Sequence, residues 1–128
     1  MGDVDIVREL FRRFGDEGLG SAIELISEDA VFEVPGTMSA EPDVYQGHDG
    51  ARRYFAGFEG LIDDLRFEPL EAEESGGVVT MWMRFTGRGA TSGIEVEQHA
   101  AVNVWVSDGK VVRMHPHPDM ETAREALR

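Results

Sequence analysis

The second half of the chain most narrows what it can fold into. Between Val78 and His117 three long runs alternate apolar with other side chains, and turns bound them at Ser75-Gly76-Gly77, Gly89 to Gly93 and Asp108-Gly109. Asp-Gly is a strong hairpin signal, because a two-residue turn of this kind needs positive φ at both central positions. The pattern predicts strands over 78–88, 95–106 and 111–117. Alternate side chains on a strand point to opposite faces. One face therefore collects Val79, Met81, Met83, Phe85, Val96, Gln98, Ala100, Val102, Val104, Val106, Val112 and Met114. The other collects Trp82, Arg84, Glu97, His99, Asn103, Trp105, Arg113, His115 and His117. A meander like this cannot hide both faces alone, so helices must cover the apolar one, which predicts an α+β fold on an antiparallel sheet.

The first half supplies those helices. Val4, Val7, Leu10, Phe11 and Phe14 recur at helical spacing, with Asp3 placed to cap and Asp5 in the first turn. Ser21-Ala-Ile-Glu24 reads as a capping box opening a short second helix that ends near Ser27. Asp29 to Val34 reads as a strand bounded by Pro35-Gly36, then a loop through Pro42. Beyond Gly47, Ala51, Tyr54, Phe55, Phe58, Leu61 and Ile62 form the broad stripe of a third helix. Leu65 to Glu73 is a further strand, where Pro69 predicts an edge or a bulge.

At 128 residues the chain is one domain, 1–128, with no internal repeat or dividing linker. Its 25 acidic and 12 scattered basic residues give a net charge of -13, which argues against nucleic acid and an anionic membrane surface as partners. The acidic start, Met1-Gly2-Asp3, is unlike a signal peptide, and no stretch approaches the roughly 20 apolar residues of a span, so a cytoplasmic protein is expected. Without cysteine there is no disulfide, thiolate or Cys-zinc chemistry.

Particular segments then carry a resemblance. Ser27-Glu-Asp-Ala-Val-Phe-Glu-Val-Pro35, Val44-Tyr-Gln-Gly-His-Asp-Gly50 and Ser107-Asp-Gly-Lys-Val-Val-Arg113, with Asp119 at the exit into a C-terminal tail, resemble the SnoaL-like branch of the nuclear transport factor two-like superfamily. The resemblance implies a cone-shaped barrel, its curved sheet wrapped on the N-terminal helices around an apolar pocket. It implies no single function, since that superfamily holds isomerases, cyclases, dehydratases, epoxide hydrolases and non-catalytic binders. Ketosteroid isomerases set a general-base Asp before the Pro after the first strand and pair it with a Tyr and a protonated Asp; those positions here fall at Val34, near Leu10 and near Val102. The cyclases' catalytic Asp on the last strand falls at Pro116, and no Asp-Arg-Asp set of the epoxide hydrolase kind is found.

The expected pocket lining is Phe11, Phe14, Val34, Phe55, Phe58, Met81, Met83, Phe85, Val102 and Met114, with Met38 beside it, for a small apolar ligand and no cofactor. Tyr45, Tyr54, Gln98 and, near the rim, His117 are the candidate proton-transfer groups. Trp82, Arg84, His99, Asn103, Trp105 and His115 are the expected face of a homodimer, because Trp and Arg favour interfaces. A one-residue parity slip would turn His99, Asn103 and Arg84 inward as an acid–base set. His115-Pro-His117 with His99 has no carboxylate spaced to complete a metal site, so none is expected. Gly87 to Gly93 joins two strands without the ending of a phosphate loop and is a turn. Glu33 could face the cavity mouth or water, and Asp29 suits a cap or turn better than a base. Three functions remain open: an enzyme working by cofactor-free proton transfer (an isomerase, cyclase or dehydratase), a non-catalytic binder, and a module for protein interaction.

Overall fold

A computed structural model describes residues 2–17, 19–34, 43–59 and 62–128. The elements run α1 (Asp3–Glu17), α2 (Leu19–Ala22), a 3-10 turn (Ile23–Leu25), β1 (Ile26–Val34), β2 (Asp43–Gln46), α3 (Gly47–Glu59), β3 (Ile62–Ser75), β4 (Val78–Gly89), β5 (Glu95–Ser107), β6 (Lys110–His117) and α4 (Met120–Glu125). Six strands form one curved, open sheet in the order β2-β1-β6-β5-β4-β3, antiparallel throughout except that β1 runs parallel to β6. The sheet does not close into a barrel. The loop expected through Pro42, with Met38, lies outside the described residues, as does the side chain of Phe58.

The helices cover the sheet face that the alternation marks as apolar. Val7, Leu10, Phe11 and Phe14 of α1 and Ala51 and Phe55 of α3 join Phe32, Val79, Met81, Met83, Val104 and Met114 in one buried core. A run of rings crosses it: Tyr45 to Tyr54 at 5.6 Å, Tyr54 to Phe55 at 5.0 Å, Phe55 to Phe14 at 4.3 Å, Phe14 to Phe67 at 5.3 Å and Phe67 to Phe85 at 6.0 Å. Tilted and edge-on rings at these separations add about 0.5–1.5 kcal/mol per pair beyond the area they bury.

Several local expectations change. Ser21 already lies inside α2, so it does not cap a helix, and the chain is extended from Ile26 rather than helical to Ser27. Arg13 organises this corner instead, donating to the Ser21 carbonyl at 3.1 Å and pairing with Glu9 at 3.0 Å. Helix α1 opens one residue earlier than expected, with Ile6 N–H donating to the Gly2 carbonyl at 3.1 Å. The segment before α3 is a short strand: Tyr45 of β2 stands opposite Phe32, and Gly47 turns into the helix at φ 68°. A side chain at Gly50 would come within 2.7 Å of the Tyr45 carbonyl carbon, so glycine lets α3 start against β2. Ile62 belongs to β3 rather than to the stripe of α3.

Pro69 marks both things it predicted, since β3 is an edge strand and its pairing with β4 shifts between Pro69 and Glu71. A second shift lies between Asp63 and Arg66, where Asp64 takes φ 54°. Bulges bend a strand and increase its twist, which curves this side of the sheet. Another irregularity falls between Trp105 and Val106, opposite β6. It puts Val111 in the core in place of the expected Val112, while Met114 keeps its place.

Candidate functional site

On the inner face, Phe11, Phe14, Phe55, Met81, Met83, Val102 and Met114 are buried, while Val34 and Phe85 are half-buried. Gln98 stands opposite Phe85 on the far reach of β5, beyond the helices, and is exposed. Tyr45 and Tyr54 sit at the other end, where β2, β1 and α3 meet. The Tyr54 ring stacks on Phe32 at 5.5 Å and 15°, and Arg53 lies over the Tyr45 ring at 4.9 Å. Burial raises the Tyr54 hydroxyl well above the ordinary phenol range, and Tyr45 adds to the effect. Tyr54 therefore stays protonated at any physiological pH. The buried polar side chains among the described residues are Thr80, Asn103 and His117, and strand register puts all three on the opposite face.

That outer face contains what the sequence leaves unseen. Helix α4 lies across it, with Ala123 fully buried. Asn103 joins the helix to the sheet, accepting from Thr80 Oγ1 at 2.7 Å and donating from Nδ2 to the Ala123 carbonyl at 2.9 Å. Asp119 caps the helix by accepting from Thr122 N–H at 2.7 Å, and Arg124 forks onto Glu73. Asn103, expected on an open face, is wholly covered by its own chain. The cue was present, because Asp119 followed by Met120-Glu-Thr-Ala-Arg124 is a cap, an acidic first turn and a basic last turn.

The remaining outer residues pair around this helix. Trp82 stacks on His99 at 5.3 Å and 19°, and Arg113 lies over Trp105 at 4.6 Å. Glu33 points outward, 2.6 Å from Arg113 and 3.9 Å from His115. Arg84 reaches Glu68 at 3.4 Å, while its Nε lies 2.8 Å from Glu97 without the alignment of a hydrogen bond. His115 stacks on His117 at 4.5 Å. Burial and the nearby His115 lower the His117 pKa, and Asp119 opposes them. His117 is thus inside the protein on the outer side, away from the inner rim. Among the described residues no three His, Asp or Glu side chains converge as a set of metal ligands. Two surface depressions are polar: one of about 370 Å³ includes Asp16, Asp63 and Arg66, and one of about 540 Å³ includes Arg84, Arg88, Glu95 and Glu97.

Solved structures with the same overall fold are similar to this chain. A nuclear transport factor two-like protein of unknown function from Burkholderia pseudomallei superposes with a TM-score of 0.79 at 20% identity, over 98% of this chain and 97% of that one. A Catenulispora acidiphila protein with a ketosteroid isomerase-like fold gives 0.77 at 11% identity, over 91% and 86%. A candidate SnoaL-like polyketide cyclase from a Jannaschia species gives 0.76 at 20% identity, over 98% and 90%. These likenesses define the class as the nuclear transport factor two-like cone fold. Within that class the chain belongs to the SnoaL-like domain family, whose model matches residues 7–114. No curated protein matches the sequence significantly.

Proposed function

We propose that the concave face binds a small, apolar, ring-bearing metabolite, with the Tyr54 and Tyr45 hydroxyls as its polar anchors. The observation that carries this reading is the run of rings from Tyr45 to Phe85 across a face whose buried side chains are otherwise aliphatic, aromatic or methionine. A ring-lined apolar interior favours a ring-bearing apolar ligand, and a few placed polar groups fix its orientation. Tyr54, held protonated, can donate to a carbonyl oxygen and so polarise it. No buried carboxylate or imidazole of the described residues shares that face to serve as a base, which favours binding over cofactor-free proton transfer. The candidate polyketide cyclase among the similar structures supports cyclase chemistry as the enzymatic alternative, beside the isomerase and dehydratase chemistries that the fold also hosts.

Thermal unfolding against steroids, aromatic polyketides, terpenoid epoxides and fatty acids tests the proposal. A ligand at ~100 times its Kd adds about 2.7 kcal/mol of stability. Tyr54→Phe should weaken a carbonyl-bearing hit roughly tenfold, the worth of one lost buried hydrogen bond. Turnover of the bound compound would make the protein an enzyme, whereas shifts with none of the four classes would remove the reading.

We propose further that the protein works in the cytoplasm as a homodimer. No helix among the described residues is long and apolar enough to cross a membrane. The dimer contact would use Trp82, His99 and Arg84 on one side of α4 and Trp105 and His115 on the other.

A further inference from the structure

The outer face holds a buried titratable group that plays no part in ligand binding. His117 is 7% exposed, and its Nε2 is covered without a hydrogen-bond partner. It ends β6 opposite Ala101 of β5, and α4 begins only after Pro118 and Asp119. A neutral imidazole can leave one ring nitrogen unpaired at modest cost, but an imidazolium in the same place would bury both a charge and an unmet N–H.

The groups around it set the sign. His115, stacked at 4.5 Å on the same strand, becomes a second cation when it takes a proton, and Arg113 beyond it is tied to Glu33. On β5, Ala101 and Asn103 carry no charge, and His99 is turned to Trp82. At the start of α4, Asp119 is the nearby carboxylate and is already engaged with Thr122 N–H. Glu121 and Glu125 of α4 are exposed, and Arg124 is held by Glu73.

We propose that His117 is an acid-responsive latch for the C-terminal helix: neutral, it lets α4 lie on the sheet, and protonated, it must reach water and lifts α4 away. Release uncovers Thr80, Ala101 and Asn103 between the two tryptophans. Because the folded chain holds this proton less readily than the unfolded one, docking is fully favoured above the ordinary imidazole value of 6.5. It is lost progressively as pH falls below 6.5 toward the lower folded value.

Amide hydrogen exchange on the intact protein between pH 7.5 and 5 reads this out after correction for intrinsic rates. The N–H groups of Ala123 and Ala126, bonded within α4, are the reporters. Their protection should fall by up to about tenfold per pH unit below 6.5, while the amides of β5 stay protected. His117→Phe keeps a buried ring without a titrating group and should flatten the profile, whereas His115→Gln removes one cause of the lowered His117 pKa and should keep the profile but move it to higher pH. Constant protection of α4, or a fall that persists in His117→Phe, overturns the latch. Should His117→Phe not fold, NMR titration of the His117 ring in the unaltered protein decides. A midpoint below 6.5 that coincides with the loss of protection supports the latch, and titration at 6.5 or above overturns it.

Discussion

Asn103 shows how far a single position could be read in advance. Strand alternation places it on the outer face correctly, because nothing shifts the β4–β5 register along its whole length. Alternation says nothing of what lies above a face, and here Ala123 and Thr80 engage both ends of the amide. Replacing it with Leu would strand the Thr80 hydroxyl and the Ala123 carbonyl, at a cost of about 1–3 kcal/mol for each buried group left unmet. Urea unfolding should show a lowered midpoint with an unchanged slope. Gly87 offers a second test at this scale. A Cβ there would lie 2.9 Å from the Asp63 carbonyl oxygen and against the Ile62 side chain, so Gly87→Ala should destabilise by about 1–3 kcal/mol through overpacking. A melting temperature unchanged from the parent chain would contradict that close approach.

Among elements, length decided legibility. The long strands and the two long helices follow from periodicity and turn residues, since many positions vote for the same answer. Helix α2 and strand β2, four residues each, are settled by what they touch: Arg13 in one case, Phe32 in the other. The inner-face residues were legible as a set for the same reason, but the cover over Asn103 and His117 depended on α4. That helix is short enough to need its cap. Thr122 N–H holds the Asp119 carboxyl below the ordinary carboxylate value of 3.8, so its contribution is present above that value and lost as pH falls below it. Asp119→Ala should speed amide exchange in α4 at neutral pH while leaving β5 protected; equal rates in the two proteins would show that the cap does not hold the helix.

At the scale of the molecule, the proposed dimer is the property most open to direct measurement. Sedimentation equilibrium at micromolar concentration should give twice the 14.2 kDa chain mass, and Trp82→Asp should return it to a single chain. A monomer from the start would remove Trp82 and Trp105 as contact residues. Such a dimer would form against a charge of -13 per chain, so it should tighten as salt rises.

The open sheet has a further consequence along β3. This edge strand is 14 residues long and, among the described strands, leaves its backbone groups on one side unmatched by a neighbouring strand. An edge of that length is a template for chain-to-chain stacking unless something discourages it. Asp63, Asp64, Glu68, Glu71, Glu73 and Glu74 are all exposed along it, and Pro69 interrupts it. The acidic composition thus acts as a gatekeeper against fibre growth. Replacing Glu68, Glu71 and Glu74 with Gln should make the protein prone to amyloid-like assembly along this edge.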